Sequence, residues 1–131
     1  MRIPQVIMAV GFVALAVLLL TPQRHPLRYN PGAEITVSGV VKDVTVFYCP
    51  VSSSEGTHLI VATDNGTVEV HVAPSRFLSD KQVQFSKGDQ VEVTGSHIIF
   101  RGHQALIART IVRGAQTVAL RKADGKPVWM E

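Results

Sequence analysis

Between two runs of alternating apolar residues, 57–64 and 67–72, the chain places Asn65-Gly66. Asparagine followed by glycine is the strongest short-range hairpin signal, because a type I′ turn needs positive φ at both central residues. Closing the turn on these two residues sets a register. Asp64 faces Thr67, Ala62 faces Glu69 and Ile60 faces His71, while Thr63/Val68, Val61/Val70 and Leu59/Val72 form the alternate pairs and the core face. His58 and His71 then fall on the outer face as diagonal neighbours, roughly 6–8 Å apart, with Glu69 and Ala62 beside them. One turn thereby predicts where two histidines and a carboxylate meet.

The strand rhythm continues on both sides of this hairpin. Twenty valines in 131 residues favour strands, since β-branched side chains fit a pleated surface. Residues 34–47 alternate at Ile35, Val37 and Val41, which predicts a long first strand with Gly39 as a place for a bulge or bend. Pro50, three serines and Gly56 break the pattern and predict a flexible loop over 48–56. The second and third strands are expected at about 57–64 and 67–72. Pro74 stops the third, 75–83 reads as a short helix or turn, and two further strands are expected at about 90–100 and 103–112, joined by Arg101-Gly102, with a short extension at 116–120. Three strands, a short helix and two more strands is the order of the oligonucleotide/oligosaccharide-binding (OB) barrel. An immunoglobulin-like sandwich would require about seven strands. The predicted fold is all-β: a five-stranded OB-fold-like Greek-key barrel with a short helix between strands 3 and 4, preceded by one N-terminal hydrophobic helix. The single cysteine, Cys49, excludes an internal disulfide, so the barrel core must carry the stability.

Residues 3–21 contain no charge, a run of nineteen residues that is long enough to span a bilayer. Thr21-Pro22-Gln23-Arg24 offers no small-x-small cleavage triplet and no cysteine follows the run, which favours an uncleaved anchor over a cleaved signal peptide. The expected organisation is a transmembrane anchor or signal peptide over 1–22, a proline-rich linker over 23–33 and the barrel domain over 34–131. Arg2 precedes the apolar run and Arg24 and Arg28 follow it, against the usual charge bias. Short N-terminal anchors nonetheless usually export the domain attached to them. The expected location is therefore the periplasmic, extracytoplasmic face of the inner membrane, with secretion after signal cleavage as the alternative. The net charge of +3, which falls to +2 once Arg2 is set aside, is no polyanion-binding signature.

In OB barrels ligands sit on the outer face of strands two and three, flanked by the loops after strands one and four. Here that surface carries His58, Glu69 and His71, with Tyr48, Arg101 and Arg109 at its margins, and these six are the candidate ligand-binding residues. His58 and His71, with Cys49 in the loop after strand one, are candidate ligands for a soft or borderline metal such as Cu or Zn. The competing reading is two surface histidines on a half-polar strand, and no resident cofactor is required. No Gly-x-Ser-x-Gly elbow surrounds the serines at 52–54, and Cys49 with His58 lacks an orienting third group, so no enzymatic activity is expected. Single-stranded nucleic acid needs a basic groove and aromatic platforms. Phe47, Tyr48, Phe100 and scattered arginines are a partial set, but residues 57–72 contain no aromatic of that kind. Nucleic acid is thus the runner-up to a small ligand or an envelope protein partner. Trp129, the only tryptophan, is either a ligand-stacking ring or a C-terminal lid on the barrel, and Phe77 and Leu78 are expected to plug its base.

The N-terminal run, then Tyr29-Asn30-Pro31-Gly32-Ala33-Glu34, then the barrel, distantly resembles the periplasmic haem chaperone of cytochrome c maturation. That resemblance implies a membrane-tethered OB barrel; the family's haem-bearing His-Asp-Glu-Asn-Tyr stretch has no counterpart after the last strand. A nearer resemblance is to small uncharacterised exported bacterial OB-fold proteins, often labelled DNA-binding by fold. It is carried by Gly56-Thr57-His58-Leu59, Val70-His71-Val72, Gly88-Asp89-Gln90-Val91-Glu92-Val93-Thr94-Gly95-Ser96, Ala108-Arg109, and Leu120-Arg121-Lys122-Ala123-Asp124-Gly125-Lys126-Pro127-Val128-Trp129. What it implies is a fold and a location. Where such proteins have Leu-Gly-Pro after the second histidine, this chain has Val72-Ala73-Pro74.

Overall fold

The computed structural model describes residues 28–49 and 53–130. The predicted anchor or signal peptide falls outside them, and no helix among the described residues is long and apolar enough to cross a membrane. Among the described residues six strands form: β1 Glu34–Cys49, β2 Ser54–Thr63, β3 Gly66–Pro74, β4 Gln90–Phe100, β5 His103–Arg113 and β6 Gln116–Ala119. A short helix, α1 (Ser75–Asp80), connects β3 to β4, and 3₁₀ turns form at Pro31–Ala33 and Val128–Met130. The sheet runs β3-β2-β1-β4-β5-β6, and β3 also pairs with β5 in parallel, so β1 to β5 close into a barrel. That closing seam is short: Glu69, Val70 and His71 opposite Ala105, Leu106 and Ile107.

Closure depends on β1, which serves two neighbours. Its first half pairs with β4 and its second half with β2, and the extra residue is at Lys42, between the pairs Val41/Val61 and Asp43/Ile60. The bulge expected at Gly39 is thus three residues further on. Gly39 instead permits a close crossing. A Cβ there would lie 2.2 Å from the Ala62 carbonyl oxygen, so only glycine lets β1 approach β2 this closely.

Alternation fills the interior as the valine pattern predicts. Leu59, Val61, Val70, Val93, Leu106, Ile111 and Leu120 are fully buried, and each contributes on the order of 1.5–3 kcal/mol by leaving water. Leu78 of α1 is buried against this core and Phe77 packs beside it. The helix is shorter than the 75–83 expected because Gln82 adopts φ 57, a left-handed conformation that ends it.

The β2–β3 register differs from the predicted one by two residues. Thr63 pairs with Gly66, Ile60 with Glu69 and His58 with His71, and the turn is Asp64-Asn65. Only Gly66 takes positive φ, at 112°, whereas a type I′ turn would need two such residues. Thr63 stabilises the shifted connection, its Oγ1 donating to the Gly66 carbonyl and accepting from the Asn65 N–H. A shift of two keeps every side chain on its predicted face, so the core assignment holds. It also moves the two histidines from diagonal to directly opposed.

Candidate functional site

Opposed at a cross-strand pair, His58 and His71 stack face to face, with ring centroids 3.9 Å apart and planes 11° from parallel. Phe47, near the end of β1, lies on the other side of His58 at 5.4 Å and 7°. Phe100, at the end of β4, stands edge-on to His71 at 4.6 Å and 87°. The absence of a phenylalanine, tyrosine or tryptophan between residues 57 and 72 is therefore no sign of a bare face. Long-range neighbours supply the aromatic cover, and His58 is only 7% exposed.

Arg101 closes the top of this cluster. It sits in the β4–β5 turn with φ 51, a conformation that costs a non-glycine residue about 1–2 kcal/mol. The turn carries its guanidinium 4.8 Å from the Phe47 ring centre and 5.1 Å from that of Phe100.

The polar edges of the two imidazoles differ. His58 Nδ1 lies 2.8 Å from Glu69 Oε1. A carboxylate oxygen accepts, which assigns the proton to Nδ1 and leaves the Nε2 lone pair of His58 available. His71 Nε2 is buried and has no hydrogen-bond partner among the described residues. Burial, seconded by the neighbouring His58 and Arg121, pulls the His71 pKa down to about 4, against the opposing pull of Glu69. At neutral pH His71 is therefore an uncharged imidazole. One donor atom from each of His58, Glu69 and His71 falls within 4.8 Å of the others.

Beside the pair opens a cleft of about 380 Å³, walled by Phe47, Pro74, Phe100, Arg121 and Trp129 as well as the histidines. A depression of about 620 Å³ near α1 is larger, but its lining from Val44 to Phe85 includes no titratable group. Trp129 reaches the cleft because the C-terminal segment folds back: the Val128 N–H donates to the Leu120 carbonyl, Arg121 bridges to Pro127, and Trp129 packs 5.5 Å from Phe77. It is thus both the lid on the barrel and a wall of the site. Arg121 was not among the predicted site residues, and its signal in the sequence, an arginine eight residues before the sole tryptophan, is recognisable only once the segment is seen to fold back. Its guanidinium lies 4.8 Å from the Trp129 ring centre, and Nη1 donates to the Ala108 carbonyl at 2.5 Å. Burial lowers its pKa to about 10.

Of the residues expected at the site, the structure brings together His58, Glu69, His71 and Arg101. Tyr48 follows Phe47 on β1, so strand alternation turns it to the opposite face, and it is 57% exposed. Arg109 forms a bidentate pair with Glu34 (Nε–Oε2 2.9 Å, Nη2–Oε1 2.6 Å), which the Tyr29 hydroxyl joins at 2.5 Å. The Arg109 hydrogen bonds hold the Glu34 carboxyl low, while burial and Glu34 push Tyr29 up to about 12. That network ties residues 29–34 to the barrel and takes no part in the cleft. Cys49 ends β1, and its side chain lies outside the described residues.

Residues 33–118 match the model of a family described as the MamS/MamX magnetosome protein family. The chain belongs to that family. The match takes in β1 to β5 and nearly all of β6, and with them His58, Glu69, His71, Phe100 and Arg101. Arg121 and Trp129 lie beyond it, so two walls of the cleft come from outside the shared segment. Among curated proteins no relative matches the chain.

Proposed function

We propose that this MamS/MamX-family chain is a non-catalytic, OB-fold-like binding module that holds a borderline transition-metal ion, of the Cu(II) or Zn(II) class, at His58 and His71. The observation that carries the reading is the convergence of two imidazoles with the Glu69 carboxylate beside a mostly apolar cleft, His71 Nε2 being unpartnered among the described residues. A buried nitrogen without a partner costs about 1–3 kcal/mol, which a bound ligand recovers. Imidazole nitrogens suit Zn and Cu, and a carboxylate on the far nitrogen of a ligating histidine fixes its tautomer and raises its basicity, the position Glu69 holds toward His58. Lone pairs of face-to-face rings run parallel, so a single shared ion requires one ring to turn out of the stack. For location, residues 3–21 serve as the anchor of an extracytoplasmic domain, and the family name associates it with the magnetosome.

The test is titration of the full-length chain in detergent with Zn(II) and Cu(II), wild type against His58→Ala/His71→Ala. One equivalent of bound metal in the wild type and its loss in the variant are expected. Unchanged stoichiometry would overturn the reading. Arg101 stacked over Phe47 and Phe100 favours one second reading, single-stranded nucleic acid, since arginine on aromatic platforms also holds unstacked bases. An oligonucleotide affinity that falls with salt and is lost in Arg101→Ala would support it, and absence of binding at low salt removes it.

A further inference from the structure

The cleft has chemistry that a metal ion at the histidine pair does not use. Its walls are mostly apolar and aromatic, with Phe47, Phe100, Pro74 and Trp129 around about 380 Å³, the lower part of the size range of small-molecule sites. One fixed cation stands among them. Among the described residues the half-buried arginines are Arg109, Arg113 and Arg121. Arg109 holds Glu34 and Arg113 holds Asp89, whereas among the described residues no carboxylate lies within ion-pair reach of Arg121. A guanidinium has five N–H donors, and the Ala108 carbonyl occupies one nitrogen of Arg121.

A cation shielded from water with no counter-charge is costly, and the fork geometry of guanidinium is matched to a planar carboxylate. The rest of the cleft offers rings and aliphatic surface, which suit a flat apolar body. Glu55 lines the cleft as well, so a second negative charge on the occupant would be repelled.

We infer that the cleft binds a small aromatic carboxylate, its single negative charge on Arg121 and its ring against the aromatic walls that include Trp129. The site goes beyond the metal reading and does not require it. Arg121 and Trp129 reach the cleft together through the fold-back of residues 120–128, so the anion-binding arm and the stacking wall arrive as one unit.

Trp129 is the only tryptophan in the chain, so its fluorescence reports the cleft directly. The full-length protein in detergent, kept metal-free with EDTA, is titrated with benzoate and with benzamide, which share ring and shape and differ in charge. A saturable fluorescence change with benzoate and an affinity for benzamide at least about tenfold weaker are expected. Arg121→Gln should bring benzoate down to the benzamide level, and Arg121→Lys should keep a preference for the acid. Equal affinities in the wild type, no saturable response to either compound, or an undiminished preference in Arg121→Gln would each overturn the proposal. If Arg121→Gln fails to fold, the acid–amide comparison in the wild type decides alone. Because chelator is present throughout, a negative result here leaves the Zn(II) and Cu(II) titrations to succeed or fail separately.

Discussion

His71→Gln should flatten the acid side of the stability curve. In the folded barrel the His71 imidazole is held at about 4 against an ordinary 6.5, through burial first and then His58 and Arg121. The unfolded chain therefore takes up this proton before the folded one does. The His71 contribution is complete above pH 6.5, is lost as the pH falls toward 4, and is constant below that. Fully transmitted, the difference amounts to about 3 kcal/mol. The ring is only partly shielded, and solvent screening reduces the figure to roughly 1–2 kcal/mol. Urea unfolding followed by Trp129 fluorescence, at steps from about pH 7.5 to about pH 4.5, measures it in wild type and variant. Glu34 and Asp89, whose carboxyls are held low by Arg109 and by the Ser86 N–H with Arg113, titrate in both proteins and cancel. Over that interval the wild type should lose roughly 1–2 kcal/mol more than the variant. Parallel curves would refute the argument that His71 is buried as a neutral ring.

Four further outcomes rest on the geometry. Gly39→Ala and Gly95→Ala place a Cβ 2.2 Å from the Ala62 carbonyl oxygen and 2.3 Å from that of Ile107, so each should cost roughly 2–3 kcal/mol in urea unfolding. Gly114→Ala, with open space but φ +59, should cost about 1–2 kcal/mol. Glu69→Gln should weaken Zn(II) binding about 10–100-fold in a competition titration, because His58 loses the carboxylate that orients it, while the circular dichroism spectrum stays that of the wild type. Arg109→Ala should lower the melting temperature yet leave metal and benzoate titrations unchanged, because its partners are Glu34 and Tyr29, outside the cleft.

The inward valines and the shared face of His58, Glu69 and His71 are legible in the sequence because each depends on a two-residue period, which a register error of two leaves intact, and the succession of strands is legible from the turn residues between them. The direct opposition of the histidines is not legible, because it depends on which residues of Asp64-Asn65-Gly66 take positive φ. Asn65 can adopt either sign, and the Thr63 hydroxyl tips the balance by bonding across the turn. Phe47 and Phe100 are visible as aromatics, but their arrival over residues of β2 and β3 comes from the bending of β1 and the closing of the barrel, for which no local pattern exists. Arg109 misleads for a related reason: an arginine in a strand carries no mark of whether its partner is Glu34 of this chain or a ligand. Arg121 escapes notice because a linear reading gives the C-terminal segment no direction.

The β3–β5 seam has a kinetic side. Two of the three β3 residues that close the barrel, Glu69 and His71, are also residues of the site. Seam and site therefore breathe together: when the latch opens, His71 leaves Ile107 and loses the cover of Phe100, while His58, Glu69 and His71 stay together on the β2–β3 hairpin. An occupant resting on both His71 and Phe100 holds the latch shut and slows that opening. Amide hydrogen exchange at Ala105, Leu106 and Ile107, on a strand that carries none of the ligating groups, would then register occupancy from the far side of the seam.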